Sequence, residues 1–298
     1  MNFVKYASPG DLGEVANQLL ARLEHLGVTP NPSCELMRAR KIVLALFGEL
    51  NDTGGTVGGD FSERVHSILT VRQWAAMLSW GIGSELEDGL RDVAKTLTGG
   101  NPSMHTAGDP SKERNVAFEV YAGCLATRFA TDPAFKEPDL IMDFAGRKIG
   151  VACKALYGDP SDLLRSARKQ IARADCDAGI VLVQLTNRFP HEKLMWCINS
   201  DTQEYPVWEP DNALARFDQL AIEASVPLRQ AADNSLGSEP KVLGIVAITE
   251  SVCITNGTHG PTQITPLHVC QAIRSGGSVD QLNKIATAFG EALNLPRV

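Results

Sequence analysis

An acid and a lysine fall where a short hairpin would bring them together. The segment Pro138-Asp139-Leu140-Ile141-Met142-Asp143-Phe144 is followed by Ala145-Gly146-Arg147-Lys148 and then by Ile149-Gly150-Val151-Ala152-Cys153-Lys154-Ala155-Leu156. Two β-prone runs around a glycine-containing turn predict a β-hairpin. With the turn centred on Gly146-Arg147, Asp139 faces Lys154 and Ile141 faces Ala152. Side chains alternate along a strand, so Asp139, Asp143, Ala152 and Lys154 share one face. A second acid, Glu119, lies among apolar neighbours in Val116-Ala117-Phe118-Glu119-Val120-Tyr121-Ala122. A carboxylate is costly to bury there unless something compensates it, and a divalent cation is one such compensation. Each feature also has a plainer reading: a cross-strand surface ion pair for Asp139 and Lys154, a solvated helix position for Glu119, and a polar strand position or substitute acid for Asp143.

The elements that would hold these residues alternate in period. Helical spacing is predicted over 11–26, 33–50, 61–80 and 84–97, and again from the Asp109-Pro110 start signal to about residue 129. After the hairpin, Asp159-Pro160 opens a helix to about residue 174. Gly179–Val183 and Val242–Ile248 are continuous apolar runs expected as buried strands. Residues 212–232 and 279–293 are expected as helices. The order predicts a mixed sheet flanked by helices, with a helical part over 1–105 and an α/β part over 106–298.

In the helix beginning at Asp159-Pro160, Arg165, Lys169 and Arg173 recur every four residues with Arg168 beside them, and Gln170 lies at the edge of the apolar stripe. Such a stripe suits phosphate contacts, although alone it is equally a solvated face.

Glu119, Pro138-Asp139 and the strand ending Ala152-Cys153-Lys154 resemble the PD-(D/E)xK, or restriction-endonuclease-like, nuclease superfamily. The resemblance covers residues 110–185, extends over 110–298, and leaves out the first hundred residues. It implies a mixed sheet flanked by helices and hydrolysis of phosphodiester bonds, most often in DNA, with Mg²⁺ or Mn²⁺. It implies Asp139 as the central metal ligand, residue 152 as the second carboxylate, the Cys153 backbone carbonyl as a third oxygen and Glu119 as a direct or water-mediated ligand. Lys154 would orient the attacking water or stabilise the transition state, with Gln170 reaching the site, and Arg165, Arg168, Lys169 and Arg173 would hold phosphates. By analogy alone it suggests bacterial anti-phage defence or restriction.

One position departs from that pattern. Residue 152 is alanine where the motif carries an acid. Either the natural chain lost the carboxylate, or alanine was introduced to trap a complex. Both imply weak metal binding and little cleavage, and the first also fits a catalytically dead fold that binds nucleic acid or serves as an assembly subunit.

Composition bounds these readings. The chain has 298 residues, 44% hydrophobic and 21% charged, with a net charge of −7. Residues 111–190 carry 12 basic and 10 acidic side chains, a net +2, against −4 before and −5 after them, so the middle is least hostile to a polyanion. No run approaches the roughly 20 apolar residues of a membrane helix, and the first residues do not read as a secretory signal. Seven cysteines, Cys34, Cys124, Cys153, Cys176, Cys197, Cys253 and Cys270, form no CxxC pair, which points to reduced thiols in a cytoplasm. The partners expected are nucleic acid, with a protein partner or a second copy, and no membrane. Weaker features are the glycine-rich 54–59 loop, without a phosphate-loop motif; His105, in a loop; Cys153 with His191, read as a buried thiol rather than a nucleophile; and Trp74 and Trp80, read as core anchors.

Overall fold

A computed structural model describes residues 9–52, 61–98, 112–191, 210–237, 239–255, 263–274 and 279–293. Four helices, α1 (Pro9–His25), α2 (Glu35–Asp52), α3 (Phe61–Gly81) and α4 (Glu87–Thr98), precede α5 (Lys112–Ala126). Then come β1 (Thr131–Ala134), β2 (Leu140–Phe144), β3 (Arg147–Ala155), α6 (Pro160–Arg173), β4 (Ala178–Gln184), α7 (Pro210–Leu236), β5 (Val242–Thr255), β6 (Gln263–Arg274) and α8 (Val279–Ala292). The Asp109-Pro110 start signal, the 54–59 loop and His105 lie outside the described residues.

The six strands form one mixed sheet in chain order. Strands β1, β2 and β3 are antiparallel neighbours, β3, β4 and β5 run parallel, and β6 returns antiparallel to β5. The expected mixed sheet with flanking helices is therefore present, with β1 and β6 in addition.

Alternation along the strands divides the core. Val151, Cys153, Leu182 and Val246 point to the face covered by α5, α3 and α8, where they meet Phe118, Tyr121 and Phe289. Ala152, Val181, Val183 and Ala247 point to the other face, against Leu164, Ala167 and Ile171 of α6 and Leu228 and Ala232 of α7. The helices α1–α4 share the first of these cores, so packing is continuous between them and the sheet, with Ile68, Leu78 and Leu90 in the same cluster as Ile149 and Ile180. Trp74 is buried in that cluster, while Trp80 is half-buried at its margin with the Arg128 guanidinium 4.7 Å from its ring centre.

Two glycines allow the close approaches that set the site. A Cβ at Gly179 would lie 2.4 Å from Ile171 Cγ2, so its absence lets α6 sit directly on β4. A Cβ at Gly150 would lie 2.9 Å from Cys176 Sγ and 3.2 Å from Pro138 Cδ, so Pro138 can press against β3 and hold the next residue, Asp139, at the strand edge.

Candidate active site

The hairpin register differs from the sequence expectation by two residues. Phe144 pairs with Arg147 and Leu140 with Val151, so the turn is Ala145-Gly146, with φ of 51° and 75°. Positive φ at both central residues is the type I′ geometry that suits hairpin twist. A two-residue shift leaves every side chain on its original face, so apolar alternation does not distinguish the registers, and alanine is an unusual residue at positive φ. The consequence bears on the chemistry. Asp139 lies one step beyond the last pair, on the continuation of the ladder that brings it opposite Ala152 rather than Lys154.

Lys154 nevertheless reaches the acid. Its Nζ donates to Asp139 Oδ2 at 2.8 Å, and the two side chains are 15% and 11% exposed. The same oxygen accepts the Cys153 backbone N–H at 2.8 Å, and Oδ1 accepts Gln170 Nε2 at 3.2 Å. Gln170 Nε2 also donates to the Pro138 carbonyl at 3.0 Å, whereas its buried Oε1 has no partner among the described residues. Asp139 is thus fixed from β3, from α6 and through its own proline.

Glu119 approaches from α5, on the other side of the sheet edge. Burial is the main cause that pushes its carboxyl up to about 7, the Asp139 charge adds to the effect, and Lys154 opposes it. Two acids and one lysine therefore share a partly dehydrated corner, where removing water strengthens each charge interaction.

The remaining positions divide clearly. Ala152 is fully buried and packs with α6 rather than opening to solvent. The Cys153 side chain is buried in the opposite core, and burial pushes its thiol up strongly, as expected of a structural cysteine. In a strand, a residue's N–H and C=O point to the same edge, so the Cys153 carbonyl lies on the side of Asp139. His191 is not a partner of that thiol: its ring nitrogens lie 2.9 Å from Ser251 Oγ and 3.0 Å from the Thr186 carbonyl oxygen. Asp143 sits at the far end of β2, paired in register with Lys148, and is no substitute acid for the site.

On α6, the Asp159 side chain accepts the Ser161 N–H and Pro160 occupies the first turn, as the start signal predicts. Arg165, Lys169 and Arg173 are exposed and Arg168 is half-buried. Arg165 is bonded to Asp162 within the helix, so the stripe is a solvent-facing flank beside the Gln170 side of the site.

The donors suit a divalent cation only in part. Among the described residues, no three His, Cys, Asp or Glu side chains come together as a metal-holding group. Two carboxylates and one backbone carbonyl fall short of the oxygen set that Mg²⁺ or Mn²⁺ requires.

Sequence reasoning missed a second polar cluster. Glu250 of β5 is buried and accepts from Tyr121 Oη at 3.1 Å and Gln73 Nε2 at 3.0 Å. Burial pushes its carboxyl up and the nearby Arg72 opposes that. The signal was available, since an acid in the middle of an apolar strand needs partners. Among the described residues, no helix is long and apolar enough to cross a membrane. Comparison with known protein families, curated proteins and solved structures finds no match to this chain.

Proposed function

We propose that the chain carries a phosphodiesterase site of the metal-dependent nuclease type, acting on DNA, in a restriction-endonuclease-like arrangement, and that Ala152 leaves this site incomplete. The observation that carries the reading is the convergence of Glu119, Asp139 and Lys154 at the end of β3, with Gln170 bonded to Asp139. A raised acid beside a paired acid and a lysine is the charge arrangement expected where a cation and a phosphate would meet.

The chain's own residues have distinct tasks in this reading. Lys154 supplies fixed positive charge for the charge that grows on a pentavalent phosphate. Asp139 holds that ammonium in place, and Gln170 holds Asp139. Glu119 supplies a second carboxyl on the opposite flank, whose ionisation burial resists until a positive charge arrives. The exposed cations of α6 lie on the flank where the sugar-phosphate backbone would approach. A divalent cation, when bound to a completed donor set, would supply charge neutralisation and an activated water. The present donor set does not complete it. The free cysteines of the described residues fit a reducing cytoplasm.

A second reading is favoured by one observation. Ala152 is packed in a closed core against Leu164, Ala167 and Ile171. A core settled around alanine fits a chain that binds nucleic acid without cutting it. Cleavage separates the two. Parent and Ala152→Glu proteins are incubated with plasmid, linear duplex, single-stranded DNA and RNA, with and without Mg²⁺ or Mn²⁺. Metal-dependent cleavage by the Ala152→Glu protein alone supports the nuclease lineage. No cleavage by a folded Ala152→Glu protein, or equal cleavage by both, removes the assignment of residue 152.

A further inference from the structure

A cavity of about 100 Å³ lies at the carboxyl ends of β3 and β4, beneath α2, α3 and α5. A single buried water needs only roughly 10–15 Å³, and drug-sized sites begin near about 300 Å³, so the space suits one small planar ring. Trp74 and Phe118 contribute aromatic surface, and Gln73, Gln184, Thr186 and Asn187 contribute polar groups. Among the described residues, the carboxylate and imidazole of the lining are those of Glu35 and His66, which lie 3.3 Å apart as a pair. Among the described residues, no lysine or arginine lines the cavity, which argues against a phosphate as occupant.

The amides are partly committed, and what remains defines the ligand. Gln73 donates its amide nitrogen to Glu250, which leaves the carbonyl oxygen as an acceptor. Asn187 Nδ2 donates to Tyr157 Oη at 2.9 Å, again leaving an oxygen. Gln184, 8% exposed, lines the cavity from the end of β4. An amide beside an aromatic wall offers a ligand both a donor and an acceptor.

The position links the cavity to the site above. Gln184 is the parallel-register partner of Ala155, the residue after Lys154, about one strand spacing away. Gln184 shares the sheet face of Leu182, whereas Lys154 shares that of Ala152. A nucleic-acid strand crossing these strand ends would bring its phosphate to one face and a base to the other. We infer that this cavity receives a single unstacked nucleobase of the bound DNA strand, with the Gln73 and Asn187 oxygens placed to accept from an exocyclic amino group. The inference rests on the nuclease reading for its partner, and it assigns Gln73, Gln184 and Asn187 as base-contacting residues. Amide side chains are suited to base edges, and aromatic walls to base faces.

The test uses the full chain in metal-free buffer. Fluorescence anisotropy compares a labelled oligodeoxyadenylate with an abasic phosphodeoxyribose strand of equal length. The parent should bind the base-bearing strand about tenfold more tightly, the scale of one to two well-placed hydrogen bonds. Gln184→Leu, which keeps bulk and removes the amide, should lose most of that preference while its affinity for the abasic strand stays the same. Asn187→Ala, at an exposed position, should lose part of the preference and serves if Gln184→Leu fails to fold. Equal binding of the two strands by the parent, or an equal loss on both in the variants, overturns the inference. Saturation-transfer NMR with free deoxyadenosine is the second arm. Contacts to base protons that vanish in Gln184→Leu support the cavity even if neither strand binds, in which case the nuclease reading falls and the cavity is a nucleoside site. Contacts that persist unchanged in Gln184→Leu place the base elsewhere and overturn the inference. Strands bound equally by a parent whose Ala152→Glu form cuts DNA leave the nuclease reading intact and remove the base site alone.

Discussion

Replacing Glu119 by glutamine should make the protein more stable near neutral pH and leave it unchanged in acid. The folded carboxyl is pushed from its ordinary 4.5 to about 7, chiefly by burial and then by Asp139. An acid whose folded value is raised contributes stability that is fully present below its unfolded value and is lost as pH rises through the folded value. The penalty therefore grows between about 4.5 and 7 and is complete above that. Full conversion of that shift would be about 3 kcal/mol, but the carboxyl is only partly covered and solvent screens it, so about 1–2 kcal/mol is expected. Lys154→Met should act in the opposite direction. Breaking a buried ion pair costs about 3–5 kcal/mol. This pair retains slight exposure, and Asp139 keeps its Cys153 and Gln170 donors, so a loss of about 2–3 kcal/mol is expected. The double variant should lose less than the sum, because a neutral residue 119 no longer repels the Asp139 charge left without its lysine. Urea unfolding at several pH values, with the two-state assumption checked by two probes, measures all four proteins. A Glu119→Gln protein that is less stable at neutral pH, or equally shifted at every pH, would refute the shared-charge account and make Glu119 an ordinary structural residue.

Other outcomes follow from the same structure. Burial, with help from Arg72, holds His268 down at about 4. A base so depressed stays neutral while the unfolded chain binds a proton, so stability should fall as pH drops from about 6.5 toward 4, by up to about 3 kcal/mol. The difference in unfolding free energy between parent and His268→Gln across that range isolates this contribution, and a pH-independent difference would contradict it. Gly179→Ala places a Cβ 2.4 Å from Ile171 Cγ2 and should cost about 1–3 kcal/mol in unfolding free energy, since α6 must move off β4. Should the α6 flank hold phosphates, Lys169→Ala with Arg173→Ala should lower the slope of log affinity against log salt for duplex DNA by about 2. An unchanged slope would make that flank a solvated face.

Much of the fold was legible because it rests on period. The apolar runs at 179–183 and 242–248 have to be inner strands, and the amphipathic stretch after Asp159-Pro160 has to lie on the sheet. Strand β1, Thr131–Ala134, was not legible: four residues containing Asp132 and Pro133 carry no alternation to read. Strand β6 was missed because Pro266, His268 and Gln271 interrupt its apolar pattern, and pairing with β5 decides its course instead. The site was legible as a set of residue types on one strand face, since parity survives a two-residue slip. The register itself was not, because it depends on Ala145 accepting a positive φ. The Glu250 cluster and the Gln184 cavity join residues of α3, α5, β4 and β5 that are far apart in the chain, and no local pattern announces them.

The central claim is that residue 152 is the missing member of a cation site built on Asp139 and Glu119. Calorimetric titration of Mn²⁺ into the parent, Ala152→Glu and Ala152→Glu/Asp139→Asn proteins, each shown to be folded by circular dichroism, addresses it most directly. One saturable site in Ala152→Glu, much weakened in the parent and in the double variant, is the predicted result. A folded Ala152→Glu protein that binds Mn²⁺ no better than the parent, or that keeps its site without Asp139, would contradict it.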